Sequence, residues 1–195
     1  RFTDKLDRGL VAVKTTKGVY CSWRIQADEY YDVKYNLYRD GTRVNAEPLD
    51  VSNFTDTSGS ESSQYTVKAV LNGVEQQASK AATVLGNNYK EIIIKRDKSL
   101  KATYEPNDAC CADVDGDGEV EILMKFTNLE ESAQRYPKNG PTIDGVETKE
   151  YSMLACLKQD GTVLWWVNCG PNMGDFQYNE QNIVGYDWDM DGKAE

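Results

Sequence analysis

The chain has 195 residues with 22 Lys or Arg and 32 Asp or Glu, so its formal net charge is −10, and it contains no histidine. This acidity argues against a nucleic-acid-binding surface, which needs clustered Lys and Arg. The missing histidine excludes Ser-His-Asp and Cys-His nucleophilic sites and His-ligated zinc within these residues. No apolar run approaches the ~20 residues of a membrane-spanning helix, so no membrane span is predicted.

The cysteines fit neither a disulfide framework nor a zinc ribbon, because their number is odd and no CxxC spacing occurs. We expect them to be small buried hydrophobic residues. They are Cys21, Cys110, Cys111, Cys156 and Cys169.

The first part of the chain has the texture of short strands separated by turns. β-Branched or aromatic residues mix with polar ones over 9–14, 18–25, 33–39, 64–71 and 74–84. Asp40-Gly41 is a turn signal, and Asn72-Gly73 between two strand-like runs is typical of a hairpin turn. Residues 50–63 are rich in Ser, Thr, Asp and Gly, which predicts a loop. Short strands without a helical period predict an all-β fold, here a small β-sandwich over residues 1–87.

Gly86-Asn87-Asn88 marks the predicted boundary to a second domain over residues 88–195. Its predicted strands are 89–95 and 120–126, followed by a hairpin of 151–158 and 162–168 that turns at Gln159-Asp160-Gly161. Residues 129–150 are predicted to form a long loop with a short helix at 129–134, and long loops on a β scaffold usually carry function or bind partners.

Two acidic segments share one pattern. Residues 113–121 read DVDGDGEVE and residues 187–195 read DWDMDGKAE, and both fit D-x-D-x-D-G-x-x-[DE], the first nine positions of an EF-hand-like calcium loop. Positions 1, 3, 5 and 9 supply carboxylates, position 6 needs glycine for the turn, and position 7 supplies a carbonyl. The predicted ligands are Asp113, Asp115, Asp117, Glu119 (carbonyl) and Glu121, and likewise Asp187, Asp189, Asp191, Lys193 (carbonyl) and Glu195.

The ligand chemistry of these loops favours calcium. All donors are oxygens, which suit a hard cation better than they suit zinc or copper, and three carboxylates within five residues repel one another unless a cation lies among them. The residues after Glu121 are strand-like rather than helical, so the loops lead into strands. The repetition predicts a repeated unit such as a propeller blade of ~40 to 50 residues, with 129–150 as an insertion.

The first domain resembles a fibronectin type III-like module. The resemblance is carried by Trp23, the run Tyr35-Asn36-Leu37-Tyr38-Arg39-Asp40-Gly41 and the run Tyr65-Thr66-Val67-Lys68-Ala69-Val70. It implies that Trp23 and Tyr65 are core residues rather than residues that stack on a ligand.

The whole chain resembles the N-terminal third of a rhamnogalacturonan lyase of polysaccharide lyase family 11. The matching segments are Leu6 to Lys14, Gly18 to Arg24, Asn107-Asp108-Ala109 with the first acidic loop, Leu157 to Trp165, and Tyr186 to Glu195. The resemblance implies a fibronectin type III-like β-sandwich followed by the first blades of a calcium-binding β-propeller. It implies a secreted, periplasmic or cell-surface monomer that acts on the acidic plant polysaccharide rhamnogalacturonan, a pectin.

The activity that the resemblance implies is β-elimination at a galacturonate residue, which needs a base, an acid and a cation that neutralises the carboxylate. No catalytic residue is assigned, because the groups near the long loop are also ordinary surface residues: Lys125, Arg135, Tyr136 and Lys138. We expect most of the catalytic surface to lie beyond Glu195 and these residues alone to be inactive. The alternative is a non-catalytic calcium-binding β-propeller module that binds carbohydrate or protein.

Overall fold

The computed structural model describes residues 6–29, 32–95, 97–135, 139–172 and 182–195. The chain divides into two compact units, Arg1–Glu91 and Ile92–Glu195. Strands account for 41% of the described residues and helix for 3%, so the all-β prediction is confirmed. Within the described ranges, no helix has the length and apolar character needed to cross a membrane.

The first unit is a curled antiparallel sheet with one parallel pairing. Its strands are β1 (Val11–Thr15), β2 (Gly18–Ser22), β3 (Lys34–Arg39), β4 (Thr42–Arg43), β5 (Asn53–Asp56), β6 (Gln64–Leu71), β7 (Val74–Ala78) and β8 (Ala82–Leu85). They lie in the order β4-β3-β6-β8-β1-β2-β5, and β7 pairs with β6. β8 is antiparallel to β6 and parallel to β1, so it joins two groups of strands into one curled sheet around a shared core.

Turn chemistry fixes two hairpins of this unit. Asp40 and Gly41 have φ of 49° and 80°, and Asn72 and Gly73 have φ of 51° and 78°. Two successive residues with positive φ are typical of the type I′ turn, whose twist matches that of the flanking strands. The predicted turn at Asp40-Gly41 and the predicted hairpin at Asn72-Gly73 are therefore confirmed, and both turns join hairpin strands.

The predicted loop over 50–63 is wrong where β5 forms. Asn53–Asp56 pairs with β2 from Ser22↔Asn53 to Val19↔Asp56, and Phe54 packs against the core. The composition is poor in strand formers, but backbone pairing with a neighbouring strand outweighs such a weak local preference.

Trp23 and Tyr65 are core residues, as predicted, with 5% and 0% of their surface exposed. The ring that meets Trp23 edge-on is Tyr35, at 5.4 Å between centroids. The Tyr65 hydroxyl donates a hydrogen bond of 2.9 Å to Asp56 Oδ2, which ties the end of β5 to β6.

The second unit is built on a four-stranded antiparallel sheet. Its elements are β9 (Tyr104–Ala112), β10 (Glu121–Asn128), α1 (Leu129–Ala133), β11 (Thr142–Ile143), β12 (Val146–Glu147), β13 (Met153–Leu157) and β14 (Val163–Asn168). The sheet order is β14-β13-β10-β9, and β11 and β12 form a separate hairpin. Four antiparallel strands in chain order are the arrangement of one propeller blade, and α1 with the β11–β12 hairpin lies between its second and third strands. The short helix and the 151–168 hairpin are confirmed.

Two strand predictions in this unit are wrong. Residues 89–95 contain no strand, although Ile94 packs against the core of the sheet. Conversely, no strand was predicted where β9 forms, and its backbone pairs with β10 from Ala112↔Glu121 to Tyr104↔Asn128. β9 is an edge strand of the described sheet, a place where Pro106 is tolerated.

Side-chain alternation gives this sheet two apolar faces. The Phe126 face comprises Phe126, Met153, Ala155, Leu157 and Trp166, and the Leu123 face comprises Ala112, Leu123, Cys156, Cys110 and Trp165. Trp165 and Trp166 therefore pack on opposite faces. Both faces are covered by other parts of the same unit, and the cover of the Leu123 face includes Ile183 and Ala194.

The expectation that all five cysteines are buried is wrong for Cys111, which is exposed. Cys110 and Cys111 are neighbours on β9, so strand alternation turns only Cys110 toward the Leu123 face. Cys21 and Cys156 are buried, all five thiols are free, and burial raises the pKa of Cys156 to about 11.

A buried ion pair links two loops of the first unit. The Glu29 carboxylate accepts hydrogen bonds from Arg8, from the Tyr35 hydroxyl at 3.0 Å and from the Gln26 N–H at 2.9 Å. Burial acts to raise the pKa of Glu29, but these hydrogen bonds outweigh it and hold the pKa below its ordinary value.

This pair predicts acid-sensitive stability. Because the folded-state pKa of Glu29 is lowered, its contribution is present above the ordinary value of 4.5 and is lost as pH falls through the lowered value. We expect Glu29→Gln to lower the free energy of unfolding at neutral pH by about 1–3 kcal/mol, and to lower it by less in acid. Urea unfolding followed by circular dichroism at neutral and acidic pH measures both. Glu61→Gln, in an exposed pair with Lys14, is the control; an equal loss for Glu29→Gln at both pH values would contradict the assignment.

Candidate metal centres

The first acidic loop is the turn that joins β9 to β10. Asp113 follows the last residue of β9, and Glu121 is the first residue of β10. Glu121 has only 1% of its surface exposed. Carboxylate oxygens of Asp113, Asp115 and Glu121 all lie within 4.8 Å of one another, so the turn gathers three oxygen donors at the end of the sheet.

Backbone N–H groups hold the first carboxylate of this loop in place. Asp113 Oδ1 accepts from Gly116 N at 2.8 Å and from Asp117 N at 3.1 Å, and Oδ2 accepts from Gly118 N at 2.8 Å. These bonds require a backbone that turns tightly, and Gly116 and Gly118 have φ of 80° and 86°. The glycine at position 6 is therefore needed for its positive φ, as the pattern predicts.

The second loop repeats this geometry. Asp187 accepts from Asp191 N at 3.1 Å and from Gly192 N at 2.9 Å. At position 9, Glu195 Oε2 accepts from Trp188 N at 3.1 Å, just as Glu121 Oε2 accepts from Val114 N at 2.8 Å. Carboxylate oxygens of Asp187, Asp189 and Glu195 lie within 4.8 Å of one another.

The position-5 carboxylates stand apart from both clusters. Asp117 Oδ1 accepts from Glu119 N at 2.8 Å, and Asp191 Oδ1 accepts from Lys193 N at 2.9 Å. The structure thus brings together the predicted ligands at positions 1, 3 and 9 of each loop. The roles of Asp117, Asp191 and the carbonyls of Glu119 and Lys193 stay predictions.

The two loops touch each other, which the sequence did not indicate. Ala194 N donates a hydrogen bond of 2.7 Å to the carbonyl oxygen of Asp113. A Cβ atom on Gly116 would lie 3.1 Å from the Gly192 carbonyl oxygen, so the backbones pass closely. The contact could not be predicted because the loops are far apart in sequence. They meet because Val114 and Ala194 both pack on the Leu123 face.

Lys158 lies against the first loop, although it is not part of the acidic motif. Its Nζ lies 2.5 Å from Asp115 Oδ2, 2.9 Å from Asp117 Oδ2 and 3.8 Å from Glu121 Oε1. Hydrogen bonds to Asp115 and Asp117 raise the pKa of Lys158, while burial raises that of Glu121. The register of β10 and β13 explains the position of Lys158: Leu157 pairs with Ile122, so the next residue, Lys158, lies beside Glu121.

The donors of both clusters fit a metal ion. Each cluster offers three carboxylates, which are hard oxygen ligands. The first cluster already attracts a cationic group, the Lys158 ammonium, which shows that its field favours positive charge.

Of the groups named for acid–base chemistry, the structure describes Lys125 and Arg135. Lys125 lies in β10 with 4% of its surface exposed, and Arg135 is an exposed residue just after α1. Tyr136 and Lys138 lie outside the described residues. These positions support no catalytic assignment.

Two known families match consecutive parts of the chain. Residues 1–85 match the rhamnogalacturonan I lyases beta-sheet domain, and residues 88–195 match the rhamnogalacturonan lyase family 11 C-terminal domain.

Similar proteins come from Bacillus. The chain is 40% identical to the rhamnogalacturonan endolyase YesW of Bacillus subtilis (strain 168) and 37% identical to the rhamnogalacturonan exolyase YesX of that strain, with all of this chain and 31% of each relative covered. The crystal structure of exotype YesX matches with a TM-score of 0.78 at 35% identity, covering 100% of this chain and 32% of that one. A Bacillus licheniformis rhamnogalacturonan lyase, PL11, matches with a TM-score of 0.76 at 36% identity, covering 100% and 33%.

The chain therefore spans about a third of the length of the relatives that it matches. The matched families, the sequence identity and the shared fold confirm the resemblance seen in the sequence: the chain belongs to rhamnogalacturonan lyase family 11.

Proposed function

We propose that this chain is the N-terminal part of a lyase that cleaves rhamnogalacturonan by β-elimination, and that its two acidic loops bind calcium. The observation that carries the proposal is the match of the entire chain, at 37–40% identity, to an endolyase and an exolyase acting on rhamnogalacturonan. Two relatives with different modes of cleavage share this part, which supports a role common to both modes.

That common role is structural. β-Elimination requires a base for the proton next to the uronate carboxylate and a group that assists the leaving oxygen. The chain has no histidine, and Lys125 is buried in the sheet. We expect the reacting groups to belong to other parts of the enzyme and this part to supply a framework.

Calcium is the cation that the loops suit best. Their D-x-D-x-D-G spacing, their oxygen donors and the absence of sulfur ligands match the preferences of calcium rather than those of zinc or copper. Asp113, Asp115 and Glu121 would hold one ion, and Asp187, Asp189 and Glu195 the other. The ion supplies the positive charge that offsets the repulsion of the carboxylates. Calcium sites of extracellular modules are weak, and such sites suit a secreted or periplasmic enzyme.

Calcium should raise the thermal stability of the chain. Binding to the folded state alone adds RT ln(1 + [L]/Kd), about 2.7 kcal/mol at a hundredfold excess over Kd. We expect a higher melting temperature in calcium than in chelator, and a smaller increase for Asp113→Asn and for Asp187→Asn. Differential scanning fluorimetry measures both.

Asp144→Asn is the matched control for this experiment. It removes the same charge from the β11–β12 turn, where Asp144 has φ of 51° and Asn is equally acceptable. A melting temperature that is the same in calcium and in chelator would refute the calcium sites.

The lyase activity should require the longer enzyme. We expect rhamnogalacturonan to yield unsaturated uronate, seen as ultraviolet absorbance, when it is treated with a protein that extends this chain to the length of its relatives. The 195 residues alone should yield none. A folded, calcium-loaded long form that is silent on rhamnogalacturonan would overturn the lyase and favour a non-catalytic binding module.

A further inference from the structure

A positively charged side chain of the protein, that of Lys158, lies among the carboxylates of the first acidic loop. The Lys158 ammonium lies 2.5 Å from Asp115 and 2.9 Å from Asp117, and its side chain is 28% exposed. It also lies 3.8 Å from Glu121, whose side chain is only 2% exposed. A lysine that approaches three carboxylates of one loop occupies the region in which positive charge is most favourable.

The strand pairing fixes the position of the Lys158 backbone. Lys158 follows β13 directly, and the pairing of Leu157 with Ile122 brings it level with Glu121. Its N–H donates to the Thr162 carbonyl at 2.8 Å, and its own carbonyl accepts from Gly161 N at 2.9 Å. The backbone is therefore held by the β13–β14 hairpin, while the four-carbon side chain extends to the carboxylates and stays partly exposed to solvent.

The second loop differs in this respect. Among the described residues, the ion pairs include none to Asp187, Asp189 or Glu195. The N–H groups at positions 2, 5, 6 and 7 make the same hydrogen bonds in both loops. The first loop has an additional bond from Gly116 N to Asp113, and its position-9 residue Glu121 is buried whereas Glu195 is exposed. The two loops thus share most of their hydrogen bonds, and only the first has a lysine among its carboxylates in the part of the chain that the structure describes.

The geometry points to Lys158 as an internal competitor for the metal at the first loop, an inference that rests on the proposed calcium sites. The ammonium offsets the carboxylate repulsion when no metal is bound, and so it keeps the turn folded. A divalent cation at Asp113, Asp115 and Glu121 must repel or displace this ammonium. The first loop therefore binds calcium more weakly than the second, and Lys158 sets that difference.

The test isolates the first loop. Asp189→Asn disables the second loop, and calcium binding to this variant is compared with and without Lys158→Met by isothermal titration calorimetry. We expect Lys158→Met to raise the first-loop affinity by about fivefold, the upper effect of a partly exposed ion pair. Lys158→Arg keeps the charge and should leave the affinity near that of Asp189→Asn alone.

Thermal stability separates this role from simple packing. In chelator, Lys158→Met should melt below the parent chain, because the carboxylates lose their counter-charge. In saturating calcium the deficit should vanish. Lys149→Met removes the same charge from an exposed position elsewhere in the unit and should show neither effect.

The outcomes distinguish the two proposals. If no variant binds calcium, the calcium sites themselves are refuted. If the first loop binds calcium with an affinity that Lys158→Met leaves unchanged, the calcium sites stand and the competitor is refuted. A deficit of Lys158→Met that is equal in calcium and in chelator would assign the lysine a packing role and would also overturn the inference.

Discussion

Repulsion among carboxylates held close together is the constraint around which the second unit is organised. Asp113, Asp115 and Glu121 approach one another because backbone N–H groups of the turn bind Asp113 and Glu121. Each N–H contributes a partial positive charge, but these dipoles do not neutralise three full charges. A compensating cation is therefore an integral part of such a turn, and the Lys158 ammonium supplies one of the available forms.

The sheet determines which groups reach this turn. β9 and β10 create it, β13 brings Lys158 beside it through the register with β10, and the Leu123 face receives Ala194 of the second loop. One hydrogen bond, from Ala194 N to the Asp113 carbonyl, then couples the two loops directly. An ion bound at either loop would therefore also influence the backbone of the other loop through this hydrogen bond.

Local patterns predicted much of this structure, and long-range pairing supplied the rest. The Asn-Gly and Asp-Gly turns, the 151–168 hairpin and the acidic motifs are encoded in adjacent residues, and each was recognisable in the sequence. β5 and β9 were missed because their polar residues become strands only through a partner. The loop-to-loop contact and Lys158 were missed for the same physical reason, since neither lies near the motif in sequence.

The balance of charge at the two acidic loops is also consistent with the proposed structural role of this part of the enzyme. A loop that surrounds its cation with its own oxygens would leave few coordination positions for a substrate. In the first loop, Lys158 also occupies space beside the carboxylates. The lysine also gives the β9–β10 turn a counter-charge of its own, whereas the described residues make no ion pair to the carboxylates of the second loop. If the proposed calcium sites hold, the first loop can balance its carboxylates with either the lysine or the ion, and the second loop depends on the ion.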